Sequence, residues 1–96
     1  MLSQQTILST LRAAKPELEK KYPIRTLALF GSYSRTDATA ESDIDLLVDI
    51  DSTIGIRFIS LAHDLEDLLH HKVDLVSLNG IKPKYLTAIQ PDLIYV

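Results

Sequence analysis

The 96-residue sequence contains no cysteine. This excludes disulfides, thiolate zinc sites and a cysteine nucleophile. It also has no run near the roughly 18 apolar residues that a membrane span requires. Its N-terminal "MLSQQTILSTLRAAK" is broken by polar residues too often to form a signal core. No membrane association is expected, and the cytoplasm is the expected location. Basic runs are missing too. The ten Lys and Arg residues are scattered, with Lys20–Lys21 the one adjacent pair, and thirteen Asp and Glu leave a net charge of −3. A chain that grips nucleic-acid phosphates by itself carries a basic face, so no direct nucleic-acid partner is expected. Repeats, linkers and low-complexity tracts are absent. A chain of this length forms one domain, 1–96, around one modest core.

What the sequence does contain is helical and strand patterns in turn. Ile7, Leu8, Leu11, Ala14, Leu18 and Tyr22 recur at helical spacing and predict a helix over 3–21, with Ser3 as N-cap. Pro16 either kinks this helix or begins a second one, and Pro23 stops it. "IRTLALF" (24–30), bounded by Pro23 and Gly31, reads as a buried strand. In "SDIDLLVDI", Ile44, Leu46, Val48 and Ile50 fall on one face and Asp43, Asp45, Leu47 and Asp49 on the other. A helix over 55–70, a strand over 72–78 and a short helix over 82–90 follow, and "LIYV" closes as an extended segment. The fold expected is a small α/β (α+β) domain, a mixed β-sheet flanked by helices. The first two strands are joined by too few residues for a long crossover, so they are expected to lie antiparallel.

The candidate chemistry lies in "FGSYSRTDATAESDIDLLVDI". Asp43 and Asp45 are i and i+2 on a strand, so their side chains point the same way, with Cα atoms about 6.6 Å apart. Converging carboxylates repel, and a shifted pKa or a cation relieves them. Hard carboxylate oxygens suit magnesium, whose remaining ligands can be substrate phosphates. A solvated sheet face would show the same pair. Gly31 and Ser32 start a turn or short helix whose N–H groups could hold an anion. A strand-ending glycine and an N-cap serine read identically. Arg35 would neutralise a phosphate or pair with Asp37, and Ser42 would donate to phosphate or cap the turn before the strand. Asp74 in "KVDLV" joins the pair if its strand is the neighbour, as a third metal ligand or general base. Its plainer reading is a strand-end aspartate beside Lys72. Asp49 lies too far along the strand. Asp64, Glu66 and Asp67 read as a solvated helix face, and His70 and His71 as a helix C-terminus. Tyr33 is near enough to stack on a base.

Gly-Ser, ten residues, then Asp-x-Asp closely resembles the signature of DNA polymerase beta-like nucleotidyltransferases. With the leading helix, "KVDLV" and "IKPKYLTAI…LIYV", the whole chain is similar to their minimal members. The resemblance implies that Gly31 and Ser32 hold a nucleoside triphosphate, ATP, with Arg35 at a position often basic. It implies that Asp43, Asp45 and Asp74 bind two Mg2+ ions. It departs at Thr36 and Asp37, where the family often has glycine and glutamate. The resemblance further implies an antitoxin that transfers AMP to a tyrosine of a HEPN-domain ribonuclease toxin. The catalytic fold occupies the chain and leaves no room for an acceptor domain, which favours an acceptor on another protein. A binding module that neutralises the toxin by complex formation is the alternative, and a small-molecule nucleotidyltransferase is a third, weaker reading.

Overall fold

The computed structural model describes residues 2–96. Helix α1 (Gln4–Lys21) starts where the Ser3 hydroxyl accepts a hydrogen bond from the Thr6 N–H at 3.1 Å. It runs through Pro16 as one helix, at the cost of one internal hydrogen bond. Strand β1 (Ile24–Phe30) follows Pro23 and leads straight into a five-residue helix α2 (Gly31–Arg35). Strand β2 (Ile44–Ile50) comes next, then a 3-10 turn at Ser52–Ile54. Helix α3 (Arg57–Leu69) therefore begins two residues later than the periodicity of 55–70 suggests. Its end falls at His70, which adopts a left-handed conformation. Strand β3 (Val73–Ser77), helix α4 (Pro83–Ile89) with its proline in the first turn, and strand β4 (Ile94–Tyr95) complete the chain.

The sheet order is β3-β2-β1-β4. Strand β1 is antiparallel to β2 and β4, and β2 is parallel to β3, so the sheet is mixed. Its two faces are buried to different extents. The alternating residues Ile44, Leu46, Val48 and Ile50 join Leu27 and Leu29 beneath α1 and α3, which contribute Ile7, Leu11, Leu61 and Leu65. The opposite face carries a smaller cluster of Phe30, Leu47 and Ile89, with Val76, Leu86 and Leu93 packed on it. Leu47 shares a face with three aspartates because α4 covers the middle of that face and leaves its end open. Among the described residues, no helix is long and apolar enough to cross a membrane.

Two acidic residues of α3 are not simply solvated. The Asp64 carboxylate accepts from the Tyr22 hydroxyl at 2.6 Å and from Lys21 Nζ at 2.8 Å, which fastens α3 to the end of α1. Those two donors hold its carboxyl below the usual carboxylate range. Glu66 accepts from the Val73 N–H at 3.0 Å and so fixes where β3 begins. Asp67 is exposed.

Candidate active site

The register of the sheet decides which carboxylates meet. Asp45 stands opposite Phe30 of β1 on one side and Asp74 of β3 on the other. Laterally paired residues share a face, and neighbouring strands lie about 5 Å apart. Phe30, Asp45 and Asp74 therefore form a row across the open end of the sheet. Asp43, two residues before Asp45, points to the same face just ahead of β2. Asp49 sits further along the strand and forms an ion pair with Arg25 at 3.2 Å.

Asp45 is half-buried and carries the electrostatic strain of this row. Its own burial, then the neighbouring charges of Asp74 and Asp43, together raise its pKa to about 6, while Arg35 opposes them. Among the described residues, no three carboxylate or imidazole groups close round a single point. Asp43 precedes the β2 ladder and Asp74 is exposed to solvent, so the arrangement is an open row rather than a cage. Such a row fits magnesium, which takes one or two carboxylates and completes its shell with phosphate oxygens and water. A divalent cation beside Asp45 would offset both the burial of its charge and the repulsion from Asp74 and Asp43.

Gly31 is required here twice over. Its φ of +75° lies where side chains are costly. A Cβ at this position would also come within 2.1 Å of Asp45 Oδ2 and 2.9 Å of its Cγ. The first residue of α2 thus packs directly against the central carboxylate, and Ser32 follows it, half-buried. Arg35, at the end of α2, donates to Asp37 at 3.1 Å and to Asp92 at 3.2 Å. Sequence reasoning foresaw the first partner and missed the second, because Asp92 lies in a 3-10 turn 57 residues away. The Ser34 hydroxyl donates to the Asp92 carbonyl, a second tie between α2 and that turn. Gln4 was missed as well: its amide donates to the Ser34 carbonyl at 2.8 Å.

Ser42 serves the turn ahead of β2, where its hydroxyl accepts from the Thr39 N–H at 2.9 Å. His71 is more than a helix terminus, since its Nε2 bonds the Ser42 carbonyl at 2.7 Å and anchors the approach to Asp43. Tyr33 corrects the sequence reading. It is buried in the main core, edge-on to His71 with ring centroids 5.9 Å apart, and cannot stack on a base. Its hydroxyl is buried without a hydrogen-bond partner.

Thr36 ends α2 at φ 66°, where a β-branched residue is strained by roughly 1–2 kcal/mol. Thr36→Gly is expected to hold or slightly raise the melting temperature, because relief of strain exceeds the entropy that glycine adds to the unfolded chain. Thermal unfolding of the two proteins checks this. A clear fall would mean that the Thr36 hydroxyl bond to the Arg35 carbonyl outweighs the strain.

The four-strand mixed sheet and its helices match the minimal nucleotidyltransferase fold. The chain belongs to the polymerase beta nucleotidyltransferase family, whose family model matches residues 13–92, and within it to the minimal nucleotidyltransferases. It is 37% identical to the protein adenylyltransferase MntA of Thermococcus cleftensis, over all of this chain and 98% of that one. It is 42% identical, over the full length of both, to a Methanocaldococcus jannaschii protein provisionally named a protein adenylyltransferase. A solved structure described provisionally as a minimal nucleotidyltransferase superposes with a TM-score of 0.79 at 30% identity, covering 97% of this chain and 95% of that one. A toxin–antitoxin structure with AMP-PNP superposes at 0.66 and 28% identity, over 98% of this chain and 72% of that one. A tri-AMPylated Shewanella oneidensis HEPN toxin in complex with its MNT antitoxin superposes at 0.60 and 27% identity, over 96% of this chain and 66% of that one.

Proposed function

We propose that this chain, as a single catalytic domain over residues 1–96, transfers AMP from ATP to a tyrosine hydroxyl of a HEPN-domain ribonuclease toxin. It thereby acts as the antitoxin. The observation that carries this reading is the row of Asp43, Asp45 and Asp74 beside the glycine start of α2. Relatives matched over their whole length bear the name protein adenylyltransferase, and structural neighbours are held with a HEPN toxin or with AMP-PNP.

The chemistry follows from the row. Asp43, Asp45 and Asp74 would hold two Mg2+ ions, which neutralise phosphate charge and sharpen the acceptor oxygen as a nucleophile. Gly31 and Ser32, at the start of α2 beside Asp45, would receive the triphosphate. The acceptor oxygen attacks the α-phosphorus in line, the bond to the bridging oxygen of the β-phosphate breaks, and pyrophosphate leaves. Asp74, the exposed member of the row, would take the acceptor's proton. An ATP-dependent reaction and a chain without cysteine suit the cytoplasm.

The test is to incubate the protein with the HEPN protein encoded beside it, ATP and magnesium, and to weigh that partner by mass spectrometry. One or more AMP increments on a tyrosine are expected with the native chain and none with Asp43→Asn. An unmodified partner, neutralised equally well by native and Asp43→Asn proteins, would favour neutralisation by complex formation.

A further inference from the structure

The smaller apolar cluster runs up to the carboxylate row and ends in one half-covered aromatic ring. Phe30 is fully buried and is the lateral neighbour of Asp45 on the same face. Tyr85 of α4 meets Phe30 edge-on, with ring centroids 6.5 Å apart and an interplanar angle of 83°. This is a favoured geometry for an aromatic pair, and it fixes the plane of the outer ring. Leu86 and Ile89 hold α4 on the sheet from its buried side. Tyr85 nevertheless stays 49% exposed, and its hydroxyl makes no hydrogen bond among the described residues. No other aromatic side chain combines exposure with this position. Tyr22 and Tyr33 are buried, Phe58 packs on the opposite face, and Tyr95 lies on β4, two strands from Asp45.

We infer that Tyr85 is the platform on which the base of the nucleotide stacks. This rests on the nucleotidyltransferase reading of the site. Phosphates held at Asp43, Asp45 and Gly31 leave the nucleoside to extend over neighbouring surface, and the Phe30–Tyr85 pair is the aromatic part of it. Stacking uses the flat face that every base has, so it supplies affinity without naming the base. A purine covers more of the ring than a pyrimidine, so purine triphosphates bind tighter than pyrimidine ones.

Equilibrium binding of AMP-PNP and of inorganic tripolyphosphate, with magnesium, separates the base from the phosphates. Tyr85→Leu keeps apolar bulk over Phe30 and removes the π face, whereas Tyr85→Phe keeps the face and removes the hydroxyl. Tyr85→Leu is expected to weaken AMP-PNP binding about tenfold or more, the scale of losing one stacked base. Tyr85→Phe is expected to bind AMP-PNP as the native protein does, and tripolyphosphate should bind all three alike. Unchanged AMP-PNP affinity in Tyr85→Leu overturns the inference alone. An equal loss in Tyr85→Phe also overturns it, because the hydroxyl would then be the contact. A native protein that binds neither ligand overturns the nucleotidyltransferase reading, and this inference with it.

Discussion

Asp45→Asn is expected to abolish AMP transfer and, at the same time, to raise the thermal stability of the protein in EDTA. Activity should fall about a thousandfold or more, the scale seen when one preorganised electrostatic partner is lost from an active site. The gain in stability follows from linkage. Burial, then Asp74 and Asp43, raise the folded pKa of Asp45 from the model-peptide 3.8 to about 6. Between those values the folded protein keeps a proton that the unfolded chain has released, so stability falls as pH rises from about 4 to 6 and stays low above it. Asparagine has the same shape and no charge to bury. Allowing for the partial exposure of Asp45 to water, the gain above pH 7 is on the order of 1 kcal/mol, or several degrees in Tm. Magnesium should produce a similar rise in the native protein and little in the variant. Melting curves at pH 5 and pH 8, with EDTA or magnesium, measure all of this. An Asp45→Asn protein that melts lower than native at pH 8 in EDTA would contradict the strained-carboxylate reading.

The second large effect is expected at Gly31. Alanine there faces a φ of +75° and places its Cβ 2.1 Å from Asp45 Oδ2, so either the helix start or the carboxylate must move. The backbone conformation costs roughly 1–2 kcal/mol and the overpacking about 1–3 kcal/mol more. Gly31→Ala should therefore lose about 3 kcal/mol of stability and more than about 10 °C in Tm, with transfer activity lost as well. Shortening the opposing side chain isolates the steric part. The Gly31→Ala, Asp45→Ala pair should recover stability relative to the sum of the single changes, while the backbone cost remains. Additive losses in a denaturant-unfolding cycle would show that the two side chains do not compete for the same space.

The elements were legible wherever burial imposes a period. Strand β2 reads directly from alternation because α1 and α3 cover one face continuously, and α1 and α3 read from their stripes for the same reason. Leu47 broke the pattern of the polar face, and its reason, the cover of α4, lies 36 residues or more along the chain. Within the site, Gly31 could be singled out as a turn glycine, but its close approach to Asp45 is a tertiary distance that no local signal carries. Tyr33 was misread because it lies two residues after Gly31 at the site's edge; one position decides whether a five-residue helix turns such a ring outward or into the core. Glu66 and His71 act through single hydrogen bonds to backbone groups, and Asp92 through bonds to Arg35 and Ser34, and the sequence shows all three only as ordinary polar residues.

The two-residue strand β4 has a consequence for the order in which the molecule is made. Strand β1 obtains its second neighbour only when Ile94 and Tyr95 pair with Leu29 and Ala28, and Arg35 obtains its second carboxylate only from Asp92. All three aspartates of the row, Asp43, Asp45 and Asp74, precede these residues in the chain. A growing chain can therefore carry the whole aspartate row while one edge of β1 is still unpaired. Long-range pairings of this kind close late in folding, so the edge of β1 and the second partner of Arg35 are completed only after the more local β1–β2 pairing has formed.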